Sequence, residues 1–192
     1  MTTENHRVRT WDLLIRLFHW TLVAAFFTAY LIEDNWLSLH VLAGYTVLFL
    51  ILFRLAWGVI GTRHARFTDF VCSPSRTLAY LKDAFTFRAR RYLGHNPAGA
   101  AMIIALLFSL AVTTVSGLAL YGYAEFSGPL SVMMQSLPEW LGGAVEDVHE
   151  FSADFTLLLV LLHLAGVILT SLQHRENLIR SMFTGIKQKE LS

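Results

Sequence analysis

Four apolar stretches decide what this chain can fold into. They run roughly over Leu13–Ile32, Leu39–Ile60, Ala98–Tyr121 and Val148–Leu172. Each reaches the length, about 20 residues, that a helix needs to cross the hydrocarbon core of a bilayer. A backbone in lipid must satisfy its own hydrogen bonds, which such stretches do as helices. With 55% hydrophobic and 15% charged residues among 192, the chain is too apolar for an ordinary soluble domain of this size. The expected fold is an all-α membrane protein, a four-transmembrane-helix bundle forming one domain over residues 1–192. The first stretch does not read as a cleavable signal, because no A-x-A-like site follows it and His19 lies inside it. The single cysteine, Cys72, excludes an internal disulfide and any C-x-x-C-H haem attachment. It reads as a structural or incidental residue.

Charge supplies the orientation. Arg7 and Arg9 precede the first span, with Arg16 just inside it, and Arg54 lies near the end of the second. The connection after Gly61 carries Arg63, Arg66, Arg76, Lys82, Arg88, Arg90 and Arg91, and the tail carries Arg175, Arg180, Lys187 and Lys189. The first and third connections have no basic residue. By the positive-inside rule both termini and the long middle connection are cytoplasmic.

The connections differ in kind. "EDNWLS" is a tight turn that makes the first two spans antiparallel neighbours. In "SRTLAYLKDAFTFRARRY", Leu78, Leu81 and Phe85 stand against Lys82, Arg88 and Arg90. That suits a helix lying on the inner membrane surface, and a solvated loop fits nearly as well. Pro97 in "GHNPAG" sits near the start of the third span, where its missing N–H costs nothing. The segment from Glu125 to Asp147 is acidic at its edges and apolar within, at Val132, Met133, Met134, Leu137 and Trp140. It reads as a cap on the outer interface. The outer connections and adjoining helix ends hold Glu33, Asp34, Glu125, Glu139, Glu146 and Asp147, a surface of one sign suited to a basic soluble partner.

Histidines carry the chemistry. In "HEFSADFTLLLVLLH", His149 and His163 are fourteen residues apart, which in a helix is a rise of about 21 Å and a return to within roughly 40° of the same face. With the orientation above, His40 and His149 lie near the outer face, and His19 and His163 lie deeper. One intramembrane histidine can be a packing residue, but four that sort into two pairs by depth point to a function. Neutral imidazole is a good iron ligand, and the space between bundle helices is a usual cofactor site. Two histidines per iron leave no open position, so the chemistry would be electron transfer by two haems. A single zinc site cannot span two levels about 21 Å apart. A proton relay would need carboxylates through the bundle, and only Asp154 intrudes, about 7 Å inside His149 by helical rise, where it is expected to face a polar pocket.

Other residues fit a cofactor without requiring one. Gly44, Gly117 and Gly166 could let a backbone approach a flat macrocycle, or could serve close helix packing. Arg54, and equally Arg16, could neutralise a haem propionate or extend to the cytoplasm. The third span has no ligand candidate and reads as a packing wall. His6, His64, His95 and His174 are expected to coordinate nothing.

The stretches "WDLLIRLFHW", "LHVLAGYTVLFLILFRLAWGVIG", "RHARF", "GHNPAGA", "HEFSADFTLLLVLLHLAGV" and "HRENLIRSMFTG" resemble the bacterial transmembrane cytochromes b of the cytochrome b561 and nickel–iron hydrogenase b-subunit type. The resemblance covers nearly the whole chain. It implies a four-helix, di-haem protein of the bacterial inner membrane with two non-covalent b haems. His19 and His163 match the ligands of the inner haem, and His40 and His149 those of the outer. It also implies electron exchange between the quinone pool and a partner, such as a periplasmic c-type cytochrome or a hydrogenase. A stand-alone superoxide:quinone or ferric reductase, or a subunit that mainly anchors a soluble oxidoreductase, are the alternatives. The lipid bilayer is a partner in every case, nucleic acid in none, and a homodimer is compatible.

Overall fold

The computed structural model describes residues 7–32 and 36–188. Glu33, Asp34, His6 and Lys189 lie outside the described residues. In chain order the elements are β1 (Arg7–Arg9), α1 (Leu13–Ile32), α2 (Leu37–Ile60), a 3-10 turn (Arg63–Ala65), α3 (Phe67–Phe70) and α4 (Pro74–Phe85). They continue with α5 (Pro97–Ala124), α6 (Ser131–Met134), α7 (Glu139–Gln173), α8 (Leu178–Thr184) and β2 (Ile186–Gln188). The four long helices α1, α2, α5 and α7 are apolar and long enough to cross a membrane. Large apolar side chains such as Phe49 and Phe108, 67% and 71% exposed, cover their outsides, as lipid-facing surfaces require.

The spans exceed their expected limits where the local chemistry lets a helix run on. Helix α7 has 35 residues, or about 52 Å, well beyond the about 30 Å of a bilayer core. Its first turns absorb "EWLGGAVED", which the sequence assigned to a cap. Pro138 precedes the helix, and nothing after it breaks the backbone. Gly142 is tolerated because a Cβ there would collide with the Tyr123 ring. Helix α5 likewise runs three residues past Tyr121. The cap shrinks to the segment around α6, where Met134 is buried while Val132 and Met133 are exposed. In the middle connection the helical alternative holds for Pro74–Phe85 only. Tyr80 and Ala84 face inward, and Leu78 and Phe85 are exposed.

The chain forms two compact units. Among the described residues, one comprises 7–20, 53–104 and 162–188, the other 21–32, 36–52 and 105–161. In the first unit, Trp11, Ile15 and Ala65 pack with Trp57 and Met182, and Tyr80, Ala84 and Ala89 pack with Tyr92 and Ala98. Helix starts are capped by short side chains there. Asp12 Oδ1 accepts the Ile15 N–H at 2.9 Å, and Asn96 Oδ1 accepts the Gly99 N–H at 2.7 Å, each satisfying an otherwise orphaned donor. Asp12 also accepts from Thr62 Oγ1 at 2.6 Å and Trp57 Nε1 at 3.2 Å. Burial pushes its carboxyl up, but these bonds outweigh it and hold the group below its usual range. Strands β1 and β2 pair antiparallel, with Val8 opposite Lys187. This ribbon is a small departure from the all-α expectation. Gly185, at φ +77°, caps α8 and offers its carbonyl to Thr10 and Trp11, a left-handed position suited to glycine. In the second unit all four long helices contribute to one core of Ala25, Phe26, Val47, Ile51 and Leu110, flanked by Leu157 and Val160.

Candidate functional site

The second unit brings His40 of α2 and His149 of α7 together, with ring centroids 6.1 Å apart and planes at 76°. His40 Nδ1 lies 2.9 Å from the Ala29 carbonyl, and His149 Nδ1 lies 2.9 Å from the Thr113 carbonyl. A carbonyl only accepts, so each Nδ1 carries the proton and each Nε2 presents a lone pair. Metal-binding histidines are oriented in this way, with the remote ring nitrogen on a carbonyl. Metal–imidazole bonds of about 2 Å put the centroids of two opposed rings about 6 Å apart. The pair therefore fits one metal held axially between two rings.

Helix α5, expected to be a packing wall, holds His149 in place, as α1 holds His40 through Ala29. Thr113 supplies the carbonyl, and Gly117 supplies the space. A Cβ at Gly117 would lie 2.8 Å from His149 Cε1. The room at Gly117 is thus taken by the imidazole itself, while a Cβ at Gly44 would meet nothing within 4 Å. A hydroxyl ladder sets the register of α5 against α7. Ser109 Oγ and Thr156 Oγ1 are 2.7 Å apart, and Thr113 Oγ1 donates to Ser152 Oγ at 2.9 Å. Thr156 is fully buried and donates back to the Ser152 carbonyl at 2.7 Å. Such bonds satisfy hydroxyls that lipid could not.

The first unit contains both His19 and His163. His19 Nδ1 is buried and makes no hydrogen bond. Around this unit Arg16 Nε, Trp20 Nε1 and Arg54 Nη1 are likewise buried without hydrogen-bond partners. All three are donors, and a buried unmatched donor costs about 1–3 kcal/mol. Such a donor set fits an anionic group such as a carboxylate. Arg54 is 3% exposed, with its guanidinium 4.8 Å from the Phe67 centroid. Phe70 also lies under it, 5.8 Å from the guanidinium to the ring centroid. Beside Gly166, as beside Gly44, a Cβ would find open space. Among the described residues no three His, Cys, Asp or Glu side chains converge on a metal position.

Asp154 is exposed on α7 and accepts a 2.8 Å hydrogen bond from Tyr30. His95 is buried. It is sandwiched between Trp11 and Phe70, at 4.6 and 4.7 Å between centroids. Burial, and then the charges of Arg54 and Lys187, push its pKa down to about 3. His64 Nδ1 meets Asp69 Oδ2 at 3.0 Å. Cys72 is half-buried beside Thr77. Glu125, Glu139, Glu146 and Asp147 are all exposed.

Residues 10–185 match the model of the prokaryotic cytochrome b561 family. The chain is 25% identical over 211 residues to a probable Ni/Fe-hydrogenase B-type cytochrome subunit of Azotobacter chroococcum, covering 93% of this chain and 87% of that protein. It is 26% identical over 213 residues, with the same coverage, to the protein so named in Azotobacter vinelandii. The Bradyrhizobium diazoefficiens protein of that name is 24% identical over 217 residues, covering 94% of this chain and 86% of its own. No solved structure matches.

Proposed function

The chain belongs to the prokaryotic cytochrome b561 family, a membrane cytochrome b that transfers electrons, and from that premise we propose that it carries two haem b groups. His40 and His149 hold one, and His19 and His163 hold the other. Arg16 and Arg54, joined by Trp20, receive the propionates of the second. Held between two imidazoles, a haem b would supply one-electron transfer rather than oxygen chemistry. The residues' own part is to orient and insulate. The Ala29 and Thr113 carbonyls fix the imidazole tautomers, and the apolar core around Phe26 and Ile51 excludes water.

The charge pattern supports cytoplasmic termini, and the reading takes residues 1–192 as one domain in a bacterial inner membrane. Electrons then pass between the quinone pool and a redox partner. The relatives' names favour a hydrogenase, and the acidic outer face favours a c-type cytochrome. The observation that carries the reading is the His40–His149 pair, 6.1 Å between centroids with both Nδ1 atoms on carbonyls.

A redox titration in visible absorption tests it. The protein should show two low-spin components, both extracted by acid–acetone. His40→Ala and His149→Ala should remove one component, and His19→Ala and His163→Ala the other. Losses that group by helix, with His149 and His163 behaving alike, would overturn it.

A further inference from the structure

Asp154 stands where a carboxylate is costly. Helix α7 presents Phe151, Phe155, Leu158 and Leu161 on its exposed side, at 72%, 44%, 49% and 55% exposure. Asp154 lies three residues after Phe151 and four before Leu158, so it shares that stripe. It is exposed itself. An ionisable residue on a membrane span that faces outward, not into the bundle, calls for a partner. Tyr30 provides half of one, donating to Asp154 Oδ1 at 2.8 Å, and Asp154 Oδ2 remains as an acceptor.

The pair's position ties it to the redox site of the same unit. Tyr30 follows Ala29, whose carbonyl orients His40, and Asp154 lies five residues, about 7.5 Å of helical rise, beyond His149. The Phe151 and Phe155 rings next to the carboxylate are parallel within 8°, with centroids 6.2 Å apart, and form a flat aromatic edge open to the bilayer. Below them Leu158 and Leu161 extend an apolar track.

We propose that Asp154 and Tyr30 form the head-group site for a membrane quinol. One quinol hydroxyl donates to Asp154 Oδ2, its ring lies on the Phe151–Phe155 edge, and its isoprenoid tail follows the Leu158–Leu161 track. A quinol needs a strong acceptor, an aromatic neighbour, access from lipid and closeness to a redox centre, and these four meet here. A lipid amine could satisfy the carboxylate alone, but would gain nothing from Tyr30 or the aromatic edge. The inference rests on the proposed exchange of electrons with the quinone pool.

The test uses the full-length holoprotein in nanodiscs with decylubiquinol as the probe, and an azidoquinone as photolabel. Tyr30→Phe and Asp154→Asn are compared with wild type. The label should fall on the α7 peptide holding residues 151–158, and excess decylubiquinol should suppress it. Asp154→Asn replaces one carboxyl oxygen by an NH2 that cannot accept from the quinol hydroxyl, and should weaken decylubiquinol binding tenfold or more. Tyr30→Phe should weaken it at least threefold. Spectra and dithionite reduction should stay at wild-type values, which shows that the variants fold and carry their haem. If Asp154→Asn fails to assemble, Tyr30→Phe and the labelled peptide decide the matter. Label elsewhere, or binding within twofold of wild type in the variants, overturns this site. If decylubiquinol neither binds nor reduces the wild-type protein, the quinone exchange itself fails, and the two failures are told apart.

Discussion

Replacing Gly117 by alanine adds one methyl group at the most confined point of the second unit. Its carbon would lie 2.8 Å from His149 Cε1, 3.1 Å from Nδ1 and 3.6 Å from Nε2. Carbon atoms pack at about 3.5–4.0 Å, so the ring or the helix must yield by about 0.7–1.2 Å. The ring cannot yield freely, because His149 Nδ1 is bonded to the Thr113 carbonyl at 2.9 Å one helical turn from the new methyl. A shift of that size breaks the bond or turns Nε2 off its axis. Overpacking costs about 1–3 kcal/mol, and losing an outer partner of a metal-bound histidine typically costs about 10–100-fold in metal affinity. Haem retention at the His40–His149 pair should therefore fall by about 10–100-fold, with the His19–His163 component unchanged. Haem content per protein and a redox titration followed in visible absorption measure both. Gly44→Ala and Gly166→Ala are the companions, since a Cβ at either meets nothing within 4 Å of the protein. If flat macrocycles lie against these glycines, each substitution should disturb only its own component. Wild-type haem content and two unshifted midpoints in Gly117→Ala would refute the reasoning.

Two further outcomes are expected. His95, with its pKa pushed down to about 3 by burial, stays neutral in the folded chain while the unfolded chain binds a proton below about pH 6.5. Its contribution is complete above that pH and declines towards pH 3, by up to about 1.4 kcal/mol per pH unit. His95→Phe, which can fill the gap between Trp11 and Phe70, should flatten the acid loss of thermal stability in detergent; an unchanged pH profile would count against the assignment. Electron transfer to a basic c-type cytochrome should slow as salt rises, because screening acts over about 8–10 Å. It should slow again when Glu146→Gln and Asp147→Asn remove two exposed carboxylates. Stopped-flow rates indifferent to both would mean that the partner docks elsewhere.

The candidate site was legible where its signals were local. His149 and His163 declare their shared stripe by spacing alone, and Arg16 and Arg54 attract notice because charge inside an apolar run is rare. Trp20, Ser109, Thr113, Ser152 and Thr156 gave no such signal. A serine or threonine in a span reads alike whether it faces a helix, a ligand or lipid. Thr113 acts through its backbone carbonyl, which every residue has. The burial of His95 between Trp11 and Phe70 had no local signal, because it comes from residues 84 and 25 positions away in the chain.

The sequence by itself determined the existence of the four spans and the four intramembrane histidines. Hydropathy acts residue by residue, and the helix is the structure an apolar run adopts in lipid. Tertiary structure alone decided which atoms those residues meet. Helix α7 starts at Glu139, not Val148, and its first turns bring Gly142 against the Tyr123 ring, a contact between segments that "LGGAV" does not encode locally. The space at Gly117 belongs to an imidazole from 32 residues further along the chain, and Asp154 finds its donor in Tyr30, 124 residues earlier. Contacts between distant segments depend on the rotation and depth of each helix against its neighbours. A turn of 100° per residue is enough to carry any side chain from the bundle to the lipid.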